Sequence, residues 1–198
     1  PVTPRSGKPV EVNALWYNAL SLLQSWSLQL QRLGYISSFS SRYEDLAQQC
    51  ERSFAERFWN EAGDYLFDVV DGANGNDPAL RPNQLFALSL HHAVLHEDYQ
   101  RSVFDAVTQH LLTNHGLRTL APKEHEYRGH AGPHMEEQQQ ALHQGSTWIW
   151  LLGPYIEAML SLPPTSTHGI RFEELQVEYW WRRGKQLLET CKDRLNVG

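Results

Sequence analysis

Cysteine is nearly absent from this 198-residue chain: Cys50 and Cys191 are the only two. Two thiols make neither a disulfide framework nor a cysteine zinc site. Basic residues are the minority, 17 against 23 acidic ones. The resulting formal charge of −6 argues against a general nucleic-acid or anionic-membrane surface. No apolar run is long enough to span a bilayer, no signal-peptide pattern is present, and the glycosylation acceptor Asn-x-Ser/Thr does not occur. There is no phosphate loop and no dinucleotide fingerprint. Together these absences lead us to expect a reducing, cytoplasmic setting, no nucleic-acid or membrane partner and no cofactor.

Aromatics, in contrast, are plentiful: seven Trp, eight Tyr and seven Phe, several beside loop-like segments. Aromatic faces fill cores and also stack on the apolar faces of sugars, which raises carbohydrate as a ligand class without deciding it. The length allows one domain with a sizeable core. Hydrophobic residues at 41% and charged residues at 20% fit an ordinary globular chain. The ten histidines include His92 with His96 and His130 with His134 at i, i+4 spacing, but no third ligand is evident, so no metal site is expected. The Gly72–Pro78 turn mixes Asp, Asn and Gly yet lacks the alternating ligand positions and closing Glu of a calcium loop. The chain opens at Pro1 and stops at Gly198 directly after a helical run, and both ends read as cut.

Hydrophobic spacing predicts a helix from Val10 to about Leu33, apolar nearly all round and therefore buried on most sides, closed by Gly34. Ser41-x-x-Glu44 reads as a capping box opening a one-faced helix to about Asn60, with Tyr43, Leu46, Ala47, Cys50, Phe54 and Phe58 inward. Tyr65 to Asp71 reads as a short strand or tight arm. Arg81-Pro82-Asn83-Gln84 then opens a second mostly apolar helix reaching Leu95. A polar-faced helix follows from about Asp98 to Leu112, and a long loop region from Thr113 to Leu142. His143-Gln144-Gly145-Ser146-Thr147 opens a third apolar helix, Trp148 to about Leu162, broken by Pro163-Pro164. A last one-faced helix is expected from about Phe172 to Leu195.

Apolar and one-faced helices thus alternate, and each apolar helix starts on polar groups: Glu11 and Asn13, Asn83 and Gln84, His143 and Gln144. The starts recur at helix-pair spacing. Stacked helical hairpins explain the pattern, with enclosed inner helices and wet outer ones. The expected fold is all-α, three hairpins making about half of an (α/α)6 toroid. In such a ring the inner N-termini converge at one end, a natural place for a sugar pocket.

Five segments carry a resemblance. They are Thr3 to Leu20 (Thr-Pro-Arg-Ser-Gly-Lys-Pro-Val-Glu-Val-Asn-Ala-Leu-Trp-Tyr), Tyr65 to Gly72 (Tyr-Leu-Phe-Asp-Val-Val-Asp-Gly), Arg81 to Gln84, Leu111 to Pro122 and His143 to Pro154 (His-Gln-Gly-x-x-Trp-x-Trp-Leu-Leu-Gly-Pro). In this order they resemble the C-terminal glucosidase domain of glycogen debranching enzymes. Two departures are the Met135–Leu142 segment, where an Arg-Asp-x-Ala-Tyr pattern is common, and Ser146 and Ile149 in place of Thr and Pro.

The resemblance implies an (α/α)6 barrel, of which residues 1–198 are a central part truncated at both ends. It implies amylo-α-1,6-glucosidase activity: hydrolysis of the glucose left at an α-1,6 branch of glycogen, limit dextrin or a related α-glucan. That chemistry needs two carboxyl groups across the glycosidic bond, one protonating the leaving oxygen and one activating water. The family's Trp-Met-Asp acid segment and Ser-Glu-Ile-Phe-Asp-Gly base segment are both missing here. Both catalytic carboxylates are therefore expected outside the chain, upstream of Pro1 and downstream of Gly198, and the isolated fragment is expected to be inactive. Mapped onto the matching positions, the resemblance implies substrate binding by Arg5, Glu11, Asn13, Trp16, Arg81, Asn83, Gln84, Arg118, His143, Gln144 and Trp148, the last as a stacking platform. Asp68 and Asp71 are expected to brace their loop. The alternative reading is a non-catalytic carbohydrate-binding or helical-repeat interaction protein.

Overall fold

A computed structural model describes residues 3, 5–36, 41–162, 178, 181–182 and 184–189. An extended N-terminal arm adds strand β1 (Lys8–Pro9) and runs straight into helix α1 (Val10–Arg32). Pro9 caps α1 in an extended conformation without a side-chain bond, and the Val10 N–H instead donates to the Asp68 carbonyl at 3.0 Å. At the far end Tyr35 N–H returns to Leu30 O and Gly34 sits at φ +78°, a left-handed closure that glycine adopts without strain. Helix α2 (Arg42–Phe58) packs back along α1. There follow β2 (Trp59–Asn60), β3 (Tyr65–Leu66), β4 (Val69–Gly72) and β5 (Gly75–Asp77), then a 3-10 turn (Pro82–Leu85) leading into α3 (Phe86–Ser89). Helix α4 (Glu97–Leu111), strands β6 (Leu112–Thr113) and β7 (Gly116–Arg118), helix α5 (Met135–His143), strand β8 (Thr147–Trp148) and helix α6 (Leu152–Ser161) complete the chain order.

The fold is mostly helical, as expected, but not all-α. Three small antiparallel sheets, ordered β1-β4-β5, β2-β3 and β6-β7-β8, stitch the irregular segments together. Their strands are two to four residues long, too short for the hydrophobic alternation by which a strand is read from sequence. The core lies between the helices. Phe54 stacks on Phe58, and Phe104 stacks on Tyr155, whose hydroxyl meets Thr108 Oγ1 at 3.0 Å. Leu85, Leu88, Leu117 and Met159 are buried in the same cluster.

Five expectations need correction. The third apolar helix starts at Leu152 rather than Trp148, which is held in β8, with a 3-10 turn at Ile149–Leu151 between them. Ser41 sits in helical backbone and makes no capping bond, so the Ser41–Glu44 box is not formed. The second apolar helix ends at Ser89 rather than Leu95. Leu90 is extended, the Val94 and Leu95 N–H groups both donate to Ala87 O, and His92 N–H donates to Asn18 Oδ1. Apolar content alone does not separate a helix from a turn buried on both sides. The region expected to be loop up to Leu142 contains β7 and α5, whose first turn is held by Glu137 reaching back to the His134 N–H at 3.3 Å. Helix α1, expected to be enclosed, exposes Val12, Leu15, Trp16, Leu23, Trp26, Leu30 and Leu33 in a continuous helical stripe. The expected final helix falls largely outside the described residues, as do Pro163 and Pro164; its residues at 178, 181–182 and 184–189 are helical. Among the described residues, no helix is long and apolar enough to cross a membrane and no cluster of metal-ligating side chains occurs.

Candidate functional site

Asp68 is a carboxylate inside an apolar run, with Leu66, Val69 and Val70 buried around it, and it is itself buried. A charge taken out of water is costly unless it is paired and hydrogen-bonded. Arg5 holds it with two donors, Nε to Oδ2 at 2.8 Å and Nη2 to Oδ1 at 3.0 Å. Asn83 Nδ2 donates to the same Oδ1 at 3.0 Å, and Arg81 Nε stands 3.6 Å from Oδ2. A planar guanidinium fork matches a carboxylate in a way that a lysine ammonium does not.

Both arginines reach further. Arg5 engages Glu11 in the first turn of α1, Nη1 to Oε1 and Nη2 to Oε2 at 2.7 Å. Arg81 Nη1 donates to Thr119 O at 3.1 Å and to His143 O at 2.9 Å, and its Nη2 donates to Gln144 Oε1 at 2.6 Å. The start of α1, the turn before α3 and the end of α5 are thereby tied into one chain of contacts: Glu11, Arg5, Asp68, Arg81, Gln144. The arm carrying Arg5 is seated by Gly7, at φ +124°, where a Cβ would lie 2.7 Å from the Val70 carbonyl oxygen. Only glycine permits both that backbone and that approach.

The titration shifts follow from this packing. Burial pushes the Asp68 carboxyl up from its ordinary value, against the pull of Arg5, Arg81 and Asn83. Arg5 is raised: burial opposes its charge, but Glu11 and Asp68 outweigh the burial. Arg81 is lowered, because burial outweighs the attraction of Asp68.

Arg5, Arg81 and Asn83 of this cluster line a cavity of about 210 Å³, together with Thr119, His143, Trp148, Trp150 and Leu151. Asn83 has a second amide hydrogen and a carbonyl oxygen beyond its bond to Asp68. Such a cavity, lined by both polar and aromatic side chains, suits a compact hydroxyl-rich ligand. The two carboxylates beside it are already committed. Both oxygens of Glu11 face Arg5, and those of Asp68 are engaged by Arg5 and Asn83.

Of the residues singled out from the sequence, Arg5, Glu11, Arg81, Asn83 and Gln144 converge on the contact chain around Asp68, and of these Arg5, Arg81 and Asn83 line the cavity. His143 lines the cavity from the C-terminal end of α5, not from the N-terminus of an inner helix. Gln84 is buried away from the opening, its Oε1 accepting from Leu66 N–H and its Nε2 donating to Arg81 O. Asn13 and Trp16 line a separate cleft against α2, and Asn13 Nδ2 donates to Pro9 O at 2.8 Å. Arg118 and Trp148 line a wider groove beyond the cavity. Asp71 braces its hairpin as expected, pairing with Lys8 and Arg57. Asp68 does more than brace a loop, and Thr119 and Trp150 were not singled out. An isolated carboxylate within an apolar run was the available signal for Asp68. Nothing local distinguishes Thr119.

The sequence profile described as amylo-alpha-1,6-glucosidase matches residues 1–194. The glycogen debranching enzyme of Saccharomyces cerevisiae (strain ATCC 204508 / S288c) is 25% identical over 187 residues, an alignment covering 80% of this chain and 12% of that enzyme. The chain thus spans a small part of the length of this curated relative.

Proposed function

The chain belongs to the amylo-alpha-1,6-glucosidase family, and from that membership we propose that it is the substrate-holding part of a glycoside hydrolase acting on α-1,6 branch points of glycogen, limit dextrin or a related α-glucan in the cytoplasm. The family match across residues 1–194 carries the reading. The small cavity at the meeting point of the family segments supports it, since a single glucose is compact and hydroxyl-rich. Arg5, Arg81 and Asn83 form the polar wall that receives it, and Trp148 covers its apolar face.

The two carboxyl groups that cleave the bond lie outside this chain. A general acid must present a proton to the leaving oxygen, and a base must present a lone pair to water. Glu11 and Asp68 turn those atoms toward guanidinium groups instead, which supports their role as holders. The chain forms about half of an (α/α)6 toroid, and the remaining hairpins cover the apolar stripe of α1. An exposed apolar patch of that extent marks a contact surface.

The deciding experiment is glucose release from limit dextrin by the natural-length protein. Free glucose is expected as the product, with no release from unbranched chains. A purified, folded natural-length protein that binds limit dextrin but releases no glucose would leave a carbohydrate-binding role and exclude the hydrolase.

A further inference from the structure

Trp148 and Trp150 stand between two openings. On one side is the cavity walled by Arg5, Asn83 and Thr119. On the other is an open groove of about 990 Å³, with Arg118, Tyr127, His130 and Ile149 among its walls. Both indoles line both openings. Their ring centroids are 6.3 Å apart at an interplanar angle of 75°. Trp148 is fixed in place by its Nε1, which donates to Leu142 O at 3.1 Å, whereas Trp150 remains 54% exposed.

The groove is held in shape by backbone. Strand β8 pairs with β7, placing Trp148 opposite Leu117 and Thr147 opposite Arg118. Gly145, at φ +152°, lets the Tyr127–Gly129 segment lie against it, because a Cβ there would sit 2.7 Å from both the Arg128 carbonyl oxygen and the Tyr127 ring. The Arg128 N–H closes this contact by donating to Gln144 O at 2.6 Å. Tyr127 is thus part of a constructed wall, although it belongs to a long irregular segment.

We propose that this groove seats the α-1,4-linked main chain of the branched glucan, with Trp150 as the specificity-determining platform at the corner where the branch departs. The inference rests on the α-1,6-glucosidase reading. A glucan bearing one branch glucose has two parts, a compact unit and a longer chain, and they meet at the glycosidic bond. The small polar cavity and the larger aromatic groove meet in the same way, at the Trp148–Trp150 corner. Indole and phenol faces suit the C–H faces of successive glucose rings. Arg118 and His130 supply polar groups for their hydroxyls.

The test uses the natural-length protein and its Trp150→Ala and Trp150→Phe variants, each checked for unchanged circular dichroism. Two readouts are taken: kcat/KM for glucose release from a branched dextrin with a long main chain and from isomaltose, and calorimetric binding of maltoheptaose. The ratio of the two specificity constants, dextrin over isomaltose, is expected to fall about tenfold in Trp150→Ala, the size of one aromatic contact, and to recover largely in Trp150→Phe. An unchanged ratio overturns the groove, whether activity is retained or falls equally on both substrates. If the wild type releases glucose from neither substrate, the hydrolase reading fails and calorimetry decides the groove separately. Maltoheptaose binding that weakens about tenfold in Trp150→Ala supports the groove. Absent or unaltered binding rejects it.

Discussion

Asp68 shows how one buried carboxylate can organise three stretches of chain far apart in sequence. Its oxygens take donors from Arg5 and Asn83, and Arg81 lies alongside. Removing one partner of a buried ion pair leaves the others uncompensated, which costs about 3–5 kcal/mol. Asp68→Ala is therefore expected to lower unfolding stability by about that amount, read as a shift of the urea midpoint. Asp68→Asn keeps one acceptor for Arg5 and should fall between the two. A loss below about 1 kcal/mol for the alanine variant, the range of an exposed pair, would show that the cluster does not hold these segments together. Arg81→Lys is not conservative here, since a single ammonium cannot reach Thr119 O, His143 O and Gln144 Oε1 with the geometry of a guanidinium.

Among the elements, α1 is the one whose environment departs most from its composition. It is apolar around most of its circumference, but only Val10, Ala14, Leu20 and Ser21 are buried. The exposed stripe through Leu15, Trp16, Leu23, Trp26 and Leu30 follows the three- and four-residue spacing of one helix face. If further hairpins of a toroid cover it, Trp26→Lys places a charge in a buried contact and should destabilise the natural-length protein by about 3 kcal/mol, measured by thermal or urea unfolding. A change within about 0.5 kcal/mol, typical of a solvent-facing position, would mean the stripe stays uncovered in the whole protein. Helix α3 makes the converse point. Its sequence supports a helix to Leu95, yet the chain turns at Leu90 because its N–H groups find Ala87 O and Asn18 Oδ1 instead of a continuing ladder.

For the molecule as a whole, the parts that recognise sugar and the parts that cleave it are expected to be separate in sequence. This chain by itself, added to limit dextrin, is expected to release no glucose, and the natural-length protein is expected to release it. Release by the chain alone would return Glu11 or Asp68 to consideration as a catalytic group. The sequence by itself determined the family, the positions of α1, α2 and α4, and the far end of α6, although Trp148, expected to open that helix, lies in β8. These are encoded locally, in hydrophobic periodicity and in contiguous motifs. Tertiary structure alone decided which polar residues face outward. Gln84 turned to a backbone N–H, Asn13 and Trp16 went to another cleft, and Asp68 moved from loop brace to hub. The physical reason is that a side chain's role depends on its partners across the fold. A carboxylate and an arginine 63 residues apart cannot be paired by reading either segment alone.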